Sequence, residues 1–196
     1  MRTLLRTSLL TLLVLSVSAH AETEPPALRA AHAALEQTAY TRSYDPAYVR
    51  IAYPNGDPPR DRGVCSDVVV RAFRAAGVDL QREVHEDMLR DFAAYPHRWG
   101  LSAPDPNIDH RRVPNLMTFF ARHGKSLPVS ARHEEYRPGD VVAWDLGGGL
   151  LHVGLVSDVP APEGVGYAIV HNIGAGARLE DVLLNWKIIG HYRYFR

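Results

Sequence analysis

The chain has 196 residues, of which 46% are hydrophobic and 22% are charged, and this length and composition fit one globular domain. The 22 Lys and Arg residues balance the 22 Asp and Glu residues, which excludes the large basic field that attracts nucleic acid. Beyond the N-terminus no second long apolar run occurs, so no membrane span is expected in the mature chain.

The N-terminus has the pattern of a secretory signal peptide. Two arginines precede the apolar stretch Leu9–Val17, and residues 19–21 form an A-x-A cleavage site. An uncleaved anchor is the alternative, but the apolar run is too short for one. We therefore predict a signal peptide over residues 1–21, followed by a single periplasmic or secreted domain over residues 22–196.

Helical periodicity dominates the first two thirds of the chain. Apolar residues recur at helical spacing in four stretches, at residues 27–41, 65–77, 81–95 and 115–123. Residues 48–53 alternate loosely, which predicts a short strand or an extended segment. The connection at residues 96–112 holds three prolines and a glycine, which exclude long regular structure there. We interpret this connection as a candidate wall of a substrate cleft.

The last third of the chain has the pattern of β-strands. Short apolar runs bounded by turn residues predict strands at residues 141–144, 150–157, 167–171 and 188–195. Helices followed by strands are typical of an α+β architecture. We therefore predict an α+β fold, in which N-terminal helices pack on a C-terminal antiparallel sheet of about four to six strands.

Cys65 is the only cysteine of the chain and opens the second predicted helix. A thiol in the first helical turn lies near unpaired N–H groups, which can lower its pKa from about 8.5 into the ~3.5–7.5 range. A free cysteine is also commonly a small buried hydrophobe. Exported proteins normally pair their cysteines, so a single thiol is expected to be either buried or chemically needed. The nearby Asp67 opposes thiolate formation unless Arg62 or Arg71 neutralises it.

Two histidines lie on predicted strands rather than in polar segments. His152 belongs to the apolar run at residues 151–156, where period two places it on the same face as Gly154. His171 ends the next run, and adjacent antiparallel strands can bring the two rings together. For either histidine alone, a core imidazole bonded to the backbone is the simpler interpretation. Together with Cys65 they suggest a nucleophile, a base and a group that orients the base.

Four motifs in this order resemble the NlpC-type cell-wall cysteine peptidase superfamily. They are C-S at Cys65, P-G-D at residues 138–140, H-V-G-L-V from His152, and a strand that ends in His171. The resemblance implies a papain-like fold and a divergent periplasmic branch of the superfamily. It also implies that Cys65 is the nucleophile, His152 the base and His171 the orienting group.

The resemblance assigns further residues and has two departures. Tyr53, twelve residues before the thiol, matches a family tyrosine near the oxyanion site, and Ser66 matches a position that contacts the substrate amine. Asn172 is the runner-up for the orienting group, although it is expected to face the other side of its strand. The departures are Asp67, where the family commonly has Gly or Ala, and a long insert at residues 78–137.

The expected function is that of an exported cysteine hydrolase that cleaves amide bonds in peptidoglycan stem peptides. Two alternatives stay open: the same scaffold with another acyl or amide substrate, and a non-catalytic envelope-binding module. No metal or organic cofactor is expected, because the H-E-x-x-H motif is absent and the polar run at residues 83–87 matches no zinc or calcium signature. Peptidoglycan peptides are the expected partner, nucleic acid is not, and a monomer is favoured.

Overall fold

The computed structural model describes residues 24–162 and 164–195. The predicted signal peptide at residues 1–21 lies outside these ranges. Within them, four α-helices form: α1 (Pro26–Glu36), α2 (Cys65–Ala75), α3 (Leu80–Arg90) and α4 (Val113–Arg122). No helix among the described residues combines the length and hydropathy that a membrane span needs.

Strands form two sheets in this part of the chain. A short parallel pair joins β1 (Ser43–Tyr44) to β2 (Arg62–Gly63), immediately before α2. The larger sheet contains β3 (Val141–Asp145), β4 (Leu151–Pro160), β5 (Tyr167–Asn172), β6 (Ala177–Glu180) and β7 (Lys187–Tyr192). Its spatial order is β6-β5-β4-β3-β7, and all neighbouring strands are antiparallel.

The predicted α+β fold is confirmed, with helices preceding a five-stranded antiparallel sheet. Residues 48–53, predicted as a short strand or an extended segment, form no strand, and β1, β2 and β6 are missing from the predicted strands. β6 has four residues and lies at the edge of the sheet, so only part of it contacts the core and its sequence carries little periodicity.

One face of the sheet, which we call the helix side, packs against the helices. Val153 and Leu155 of β4 are buried there against the apolar face of α2. Phe73 of α2 is fully buried and packs on the Phe120 and Phe195 rings, whose centroids are 5.6 and 4.9 Å away. Burying each side chain of this size stabilises the fold by about 1.5–3 kcal/mol. This packing fixes α2, and therefore its first residue, against the sheet.

The opposite face of the sheet, which we call the tryptophan side, covers a smaller cluster. Trp144 of β3 is fully buried at its centre, and its indole N–H donates to the Leu183 carbonyl at 2.9 Å. Because successive strand residues face opposite sides, His152 lies on this side and Val153 on the helix side. His171 lies on the tryptophan side for the same reason, beside Ile169.

Candidate active site

The thiol of Cys65 is buried at the first residue of α2, where helix and sheet meet. The helix begins here because the Asp67 carboxylate, in its first turn, accepts a hydrogen bond of 2.7 Å from the Val64 N–H. This is the bond that the third helical residue makes in a capping box. The Val153 N–H of β4 is near enough to the thiol to lower its pKa. Tyr44 of β1 lines the same cleft as Cys65, and its hydroxyl interacts with the thiol. The sulfur therefore lies against the β4 backbone, one residue along the chain from His152.

The two strand histidines form a hydrogen-bonded chain that ends on a carboxylate. The Nε2 of His152 and the Nδ1 of His171 are 2.8 Å apart. The Nε2 of His171 is in turn 2.7 Å from a carboxylate oxygen of Glu180 on β6. The strand register allows this, because β5 lies between β4 and β6 in the sheet. Sequence analysis missed Glu180, since nothing in the short run A-R-L-E indicates a functional carboxylate.

This chain of contacts determines which nitrogens carry protons. A carboxylate accepts hydrogen bonds, so the Nε2 of His171 donates to Glu180 and its Nδ1 is left as an acceptor. The Nε2 of His152 must then donate to the Nδ1 of His171. The remaining nitrogen of His152, Nδ1, carries a lone pair and has the character of a base.

Both ends of the candidate nucleophile–base pair are neutral at pH 7. Burial raises the pKa of the Cys65 thiol to about 11; the Val153 N–H lowers it, and the charge of Asp67 raises it. Burial, and secondarily the charge of His171, lowers the pKa of His152 to about 3. Burial also lowers the pKa of His171, against the opposing effect of Glu180. The resting state is therefore a neutral thiol and a neutral imidazole rather than a thiolate–imidazolium pair.

Tryptophan rings cover the histidine chain. The Trp186 ring lies 6.0 Å from the His152 ring and 6.1 Å from the His171 ring, between centroids. Trp144 approaches His152 at 5.8 Å. Among residues 24–162 and 164–195, no hydrogen bond joins Cys65 to His152. His152 packs with Trp144 on the tryptophan side and Cys65 packs with the helix-side cluster, so the base and the candidate nucleophile are not engaged in this state.

The carboxylate of Asp67 is neutralised by a residue that sequence analysis did not select. Arg111 donates two hydrogen bonds to it, each at 2.9 Å, from a short 3-10 turn at Asp109–Arg111. The expectation that Arg62 or Arg71 does so is wrong. Arg71 pairs with Asp57 at 2.9 Å, and Arg62 faces solvent.

The tyrosine beside the thiol is Tyr44 and not Tyr53. The Tyr53 ring lies edge-on to His85 of α3, 5.3 Å away, and is partly exposed. Tyr44 has its pKa raised to about 12, by burial first and then by its interactions with Cys65. Sequence spacing misleads here because the turn-rich chain between Tyr44 and the thiol places β1 beside β2, so the more distant tyrosine is returned to the site.

Ser66 and Asn172 have structural partners in place of the roles that the resemblance assigned. The buried Ser66 hydroxyl donates to the Arg111 carbonyl at 2.7 Å, which holds the 3-10 turn against α2. The Asn172 side chain donates to the carbonyls of Ser43 and Gly63 at 3.2 and 3.0 Å, and so ties β5 to the β1–β2 pair. His171 rather than Asn172 contacts His152.

A cleft of about 450 Å³ opens above the thiol. Cys65 lines it, together with Tyr44 and the turn at Gly149 and Leu150. Five of its fourteen lining residues come from residues 96–112, the connection interpreted above as a candidate wall. The thiol is only 4% exposed, so this cleft is its route to a reactant.

Metal-ligating side chains do not cluster in the described part of the chain. No group of three or more His, Cys, Asp or Glu residues there has the arrangement of a metal site. The polar run at residues 83–87 instead divides among separate contacts: His85 pairs with the buried Asp109 at 3.1 Å, and Asp87 pairs with Arg122 at 2.7 Å.

This α+β protein has a buried cysteine at the start of a helix that packs on an antiparallel sheet. The amino-acid sequence shows the family to which the chain belongs. The chain belongs to the family described as "Domain of unknown function (DUF1287)", whose model matches residues 31–194. It is 56% identical over 168 residues to the uncharacterized protein YijF of Escherichia coli (strain K12). That alignment covers 86% of this chain and 82% of the relative.

Two solved structures have a distantly similar fold. They are NlpC1 and NlpC2 from Trichomonas vaginalis, with TM-scores of 0.49 and 0.48 and sequence identities of 12% and 14%. The matches cover 92% and 90% of this chain but 47% and 49% of those chains, so this chain spans about half their length. A likeness at this level assigns no activity to this chain.

Proposed function

We propose that this protein is a cysteine hydrolase that cleaves amide bonds in peptidoglycan stem peptides. Cys65 is the nucleophile, His152 the base and His171 the orienting group. The observation that carries the proposal is the chain from Glu180 through His171 to His152, since it leaves the Nδ1 of His152 unprotonated, one residue along β4 from the Val153 N–H that lowers the pKa of the thiol.

The neutral resting pair implies general-base activation. As the thiol attacks the amide carbonyl, the Nδ1 of His152 takes its proton, and the imidazolium then protonates the leaving amine. Glu180 stabilises the positive charge through His171. Water releases the acyl group from Cys65 in the second half of the reaction, with His152 again acting as the base.

The oxyanion has two donors available at the start of α2. The first N–H groups of a helix lack intrahelical acceptors, and the N–H of Cys65 is one of them. The Tyr44 hydroxyl contacts the thiol and is the second. Removal of one such donor typically lowers kcat by about 10²–10³. Tyr44 takes the role that the resemblance implied for Tyr53.

Catalysis by this site requires Cys65 and His152 to come into hydrogen-bonding contact. Catalytic hydrogen bonds are commonly long without substrate and shorten in the complex. A substrate in the cleft that packs over the thiol would exclude water and favour this contact. The sequence resemblance supports the substrate class, and the pattern of residues 1–21 supports export to the periplasm or beyond.

A non-catalytic envelope-binding module is the second candidate. The burial of the thiol, its raised pKa and the missing Cys65–His152 hydrogen bond favour this alternative. If the protein is such a module, the cleft is still present, but Cys65, which lines it, takes part in no reaction.

Digestion of purified peptidoglycan separates the two candidates. Wild-type protein, Cys65→Ala and Tyr53→Phe are incubated with it, and soluble products are identified by mass. The hydrolase proposal expects stem-peptide fragments with wild type and with Tyr53→Phe, and none with Cys65→Ala. A wild-type product pattern identical to that of Cys65→Ala contradicts the proposal, and binding without digestion supports the module.

A further inference from the structure

The charged residues that line the cleft above Cys65 are all of one sign. Among the described residues that line it, Arg98, Arg111 and Arg112 are basic and none is acidic. Arg111 is committed to the carboxylate of Asp67 and to main-chain carbonyls of the segment at residues 45–47. Arg98 and Arg112 have no carboxylate within 4.0 Å in the described parts of the chain. Arg98 and Arg112 therefore bring two positive charges to the cleft, and neither charge is paired with a carboxylate of the described residues.

Arg112 is held in a defined position by an aromatic ring. Its guanidinium carbon lies 4.1 Å from the centroid of the Trp99 ring, a cation–π arrangement. Stacking occupies the face of the guanidinium and leaves its N–H edge available for hydrogen bonds. Burial lowers the pKa of Arg112, which reflects a partly desolvated cation. We call Arg98, Trp99 and Arg112 the arginine wall.

The carboxylates near Arg112 do not bind the N–H edge of its guanidinium. Asp105 accepts hydrogen bonds from Tyr48 and Asn107, at 3.0 and 2.8 Å. Asp109 pairs with His85 at 3.1 Å and is fully buried. Both act on Arg112 only through longer-range attraction. A planar guanidinium that is pre-positioned and unpaired matches the geometry of a carboxylate ligand.

We propose that the arginine wall binds a carboxylate of the substrate, so that the site selects acidic peptides over neutral ones. This inference rests on the proposed function for the identity of the bond that is cleaved, but not for the binding itself. Arg112 supplies the directed contact, and the exposed Arg98 adds attraction at the mouth of the cleft. The apolar residues of the cleft, such as Leu150 and Pro114, accommodate the uncharged part of the peptide.

The test compares one peptide in two charge states. A stem tetrapeptide with free carboxylates and the same peptide with its carboxylates converted to carboxamides are offered to the wild type. A charge-assisted hydrogen bond corresponds to about a ten- to hundred-fold difference in affinity, so kcat/KM is expected to differ by that factor. Arg112→Gln is expected to remove most of the preference through KM. Arg112→Lys keeps part of it, and Arg98→Gln has a smaller effect.

The matched control is Arg137→Gln, an exposed arginine outside this cleft, which is expected to keep the full preference. Binding of both peptides to Cys65→Ala, measured by calorimetry, separates this inference from the proposed function. One outcome is that wild type cleaves neither peptide while Cys65→Ala binds the acidic peptide about tenfold or more tightly than the neutral one. This outcome contradicts the proposed hydrolysis and supports carboxylate binding by the arginine wall. Equal binding of the two peptides, or binding of neither, overturns the inference whether or not cleavage occurs.

Discussion

Asp67 has two opposing effects at the start of α2. Its carboxylate caps the helix through the Val64 N–H and anchors Arg111, which ties the cleft wall to the helix. Its charge also raises the pKa of the thiol two residues away. The ion pair with Arg111 is almost fully buried, each side chain being 2% exposed, so the carboxylate contributes chiefly to structure.

Replacement of Asp67 by Asn is expected to destabilise the fold by about 3–5 kcal/mol, because it leaves the Arg111 cation buried without its partner. Urea unfolding measures the change. The control is Asp61→Asn, since Asp61 and its partner Arg62 are 62% and 47% exposed. The control is expected to cost less than about 1 kcal/mol. Equal losses in the two variants would contradict the structural role of Asp67.

Cys65 is a neutral thiol in the resting state. With the thiol pKa raised to about 11 and that of His152 lowered to about 3, thiolate is rare at neutral pH. Alkylation of the native protein by iodoacetamide should therefore accelerate about tenfold per unit from pH 7 to pH 9, since the thiolate is the nucleophile. The sequence holds one cysteine, so the intact mass reports this site alone.

The same labelling in urea provides the control, because an unfolded thiol should level off above its ordinary pKa of about 8.5. A native rate that is already high at pH 6 and does not change up to pH 8 would indicate a resting thiolate–imidazolium pair. That outcome would contradict the neutral pair and the general-base order of events.

At the scale of elements, β5 has a different role on each face. His171 on the tryptophan side joins His152 to Glu180, whereas Asn172 ties the strand to the β1–β2 pair. Gly154 of β4 is paired with His171, and a Cβ there would meet the Ile169 Cγ2 at 2.8 Å and the His171 Cβ at 3.1 Å. The missing side chain thus leaves room for Ile169 and His171 on this face of the sheet.

Adjacent substitutions in β5 should therefore have different consequences. Asn172→Ala leaves the Ser43 and Gly63 carbonyls without this donor and is expected to cost about 1–3 kcal/mol in urea unfolding. Its hydrolytic rate per folded molecule should be largely retained. His171→Ala removes the group that orients the base His152, and we expect kcat to fall by up to about 10²–10⁴, the usual contribution of the acid–base catalysis that it supports. A loss of activity in Asn172→Ala as large as in His171→Ala would show that the two faces are not separate.

Periodicity was sufficient to predict the four α-helices, four of the five strands of the larger sheet and the two strand histidines. Val68, Val69 and Phe73 recur at helical spacing and are buried in α2, and period two put His152 and Gly154 on one face. These patterns are local, so one sequence carries them. Glu180 lies at the end of a four-residue edge strand and has no such pattern.

At the scale of the whole molecule, the parts of the site that were not predicted depend on chain path. Arg111 reaches Asp67 across 44 residues, and Tyr44 reaches the thiol through a turn-rich segment whose course spacing does not determine. Residues 78–137 supply both core and cleft. Phe119 of α4 is buried on the helix side, while Trp99 lines the cleft. This segment therefore links the stability of the fold to the shape of the candidate site.

The most direct test of the central claim is the initial rate of amine release from a soluble stem tetrapeptide by wild type and by Cys65→Ala at equal concentrations of folded protein. Removal of a catalytic nucleophile eliminates most of the rate enhancement, so Cys65→Ala should be slower by about 10³-fold or more. Release of amine by Cys65→Ala at the wild-type rate would contradict the account, because the thiol would then have no part in the reaction.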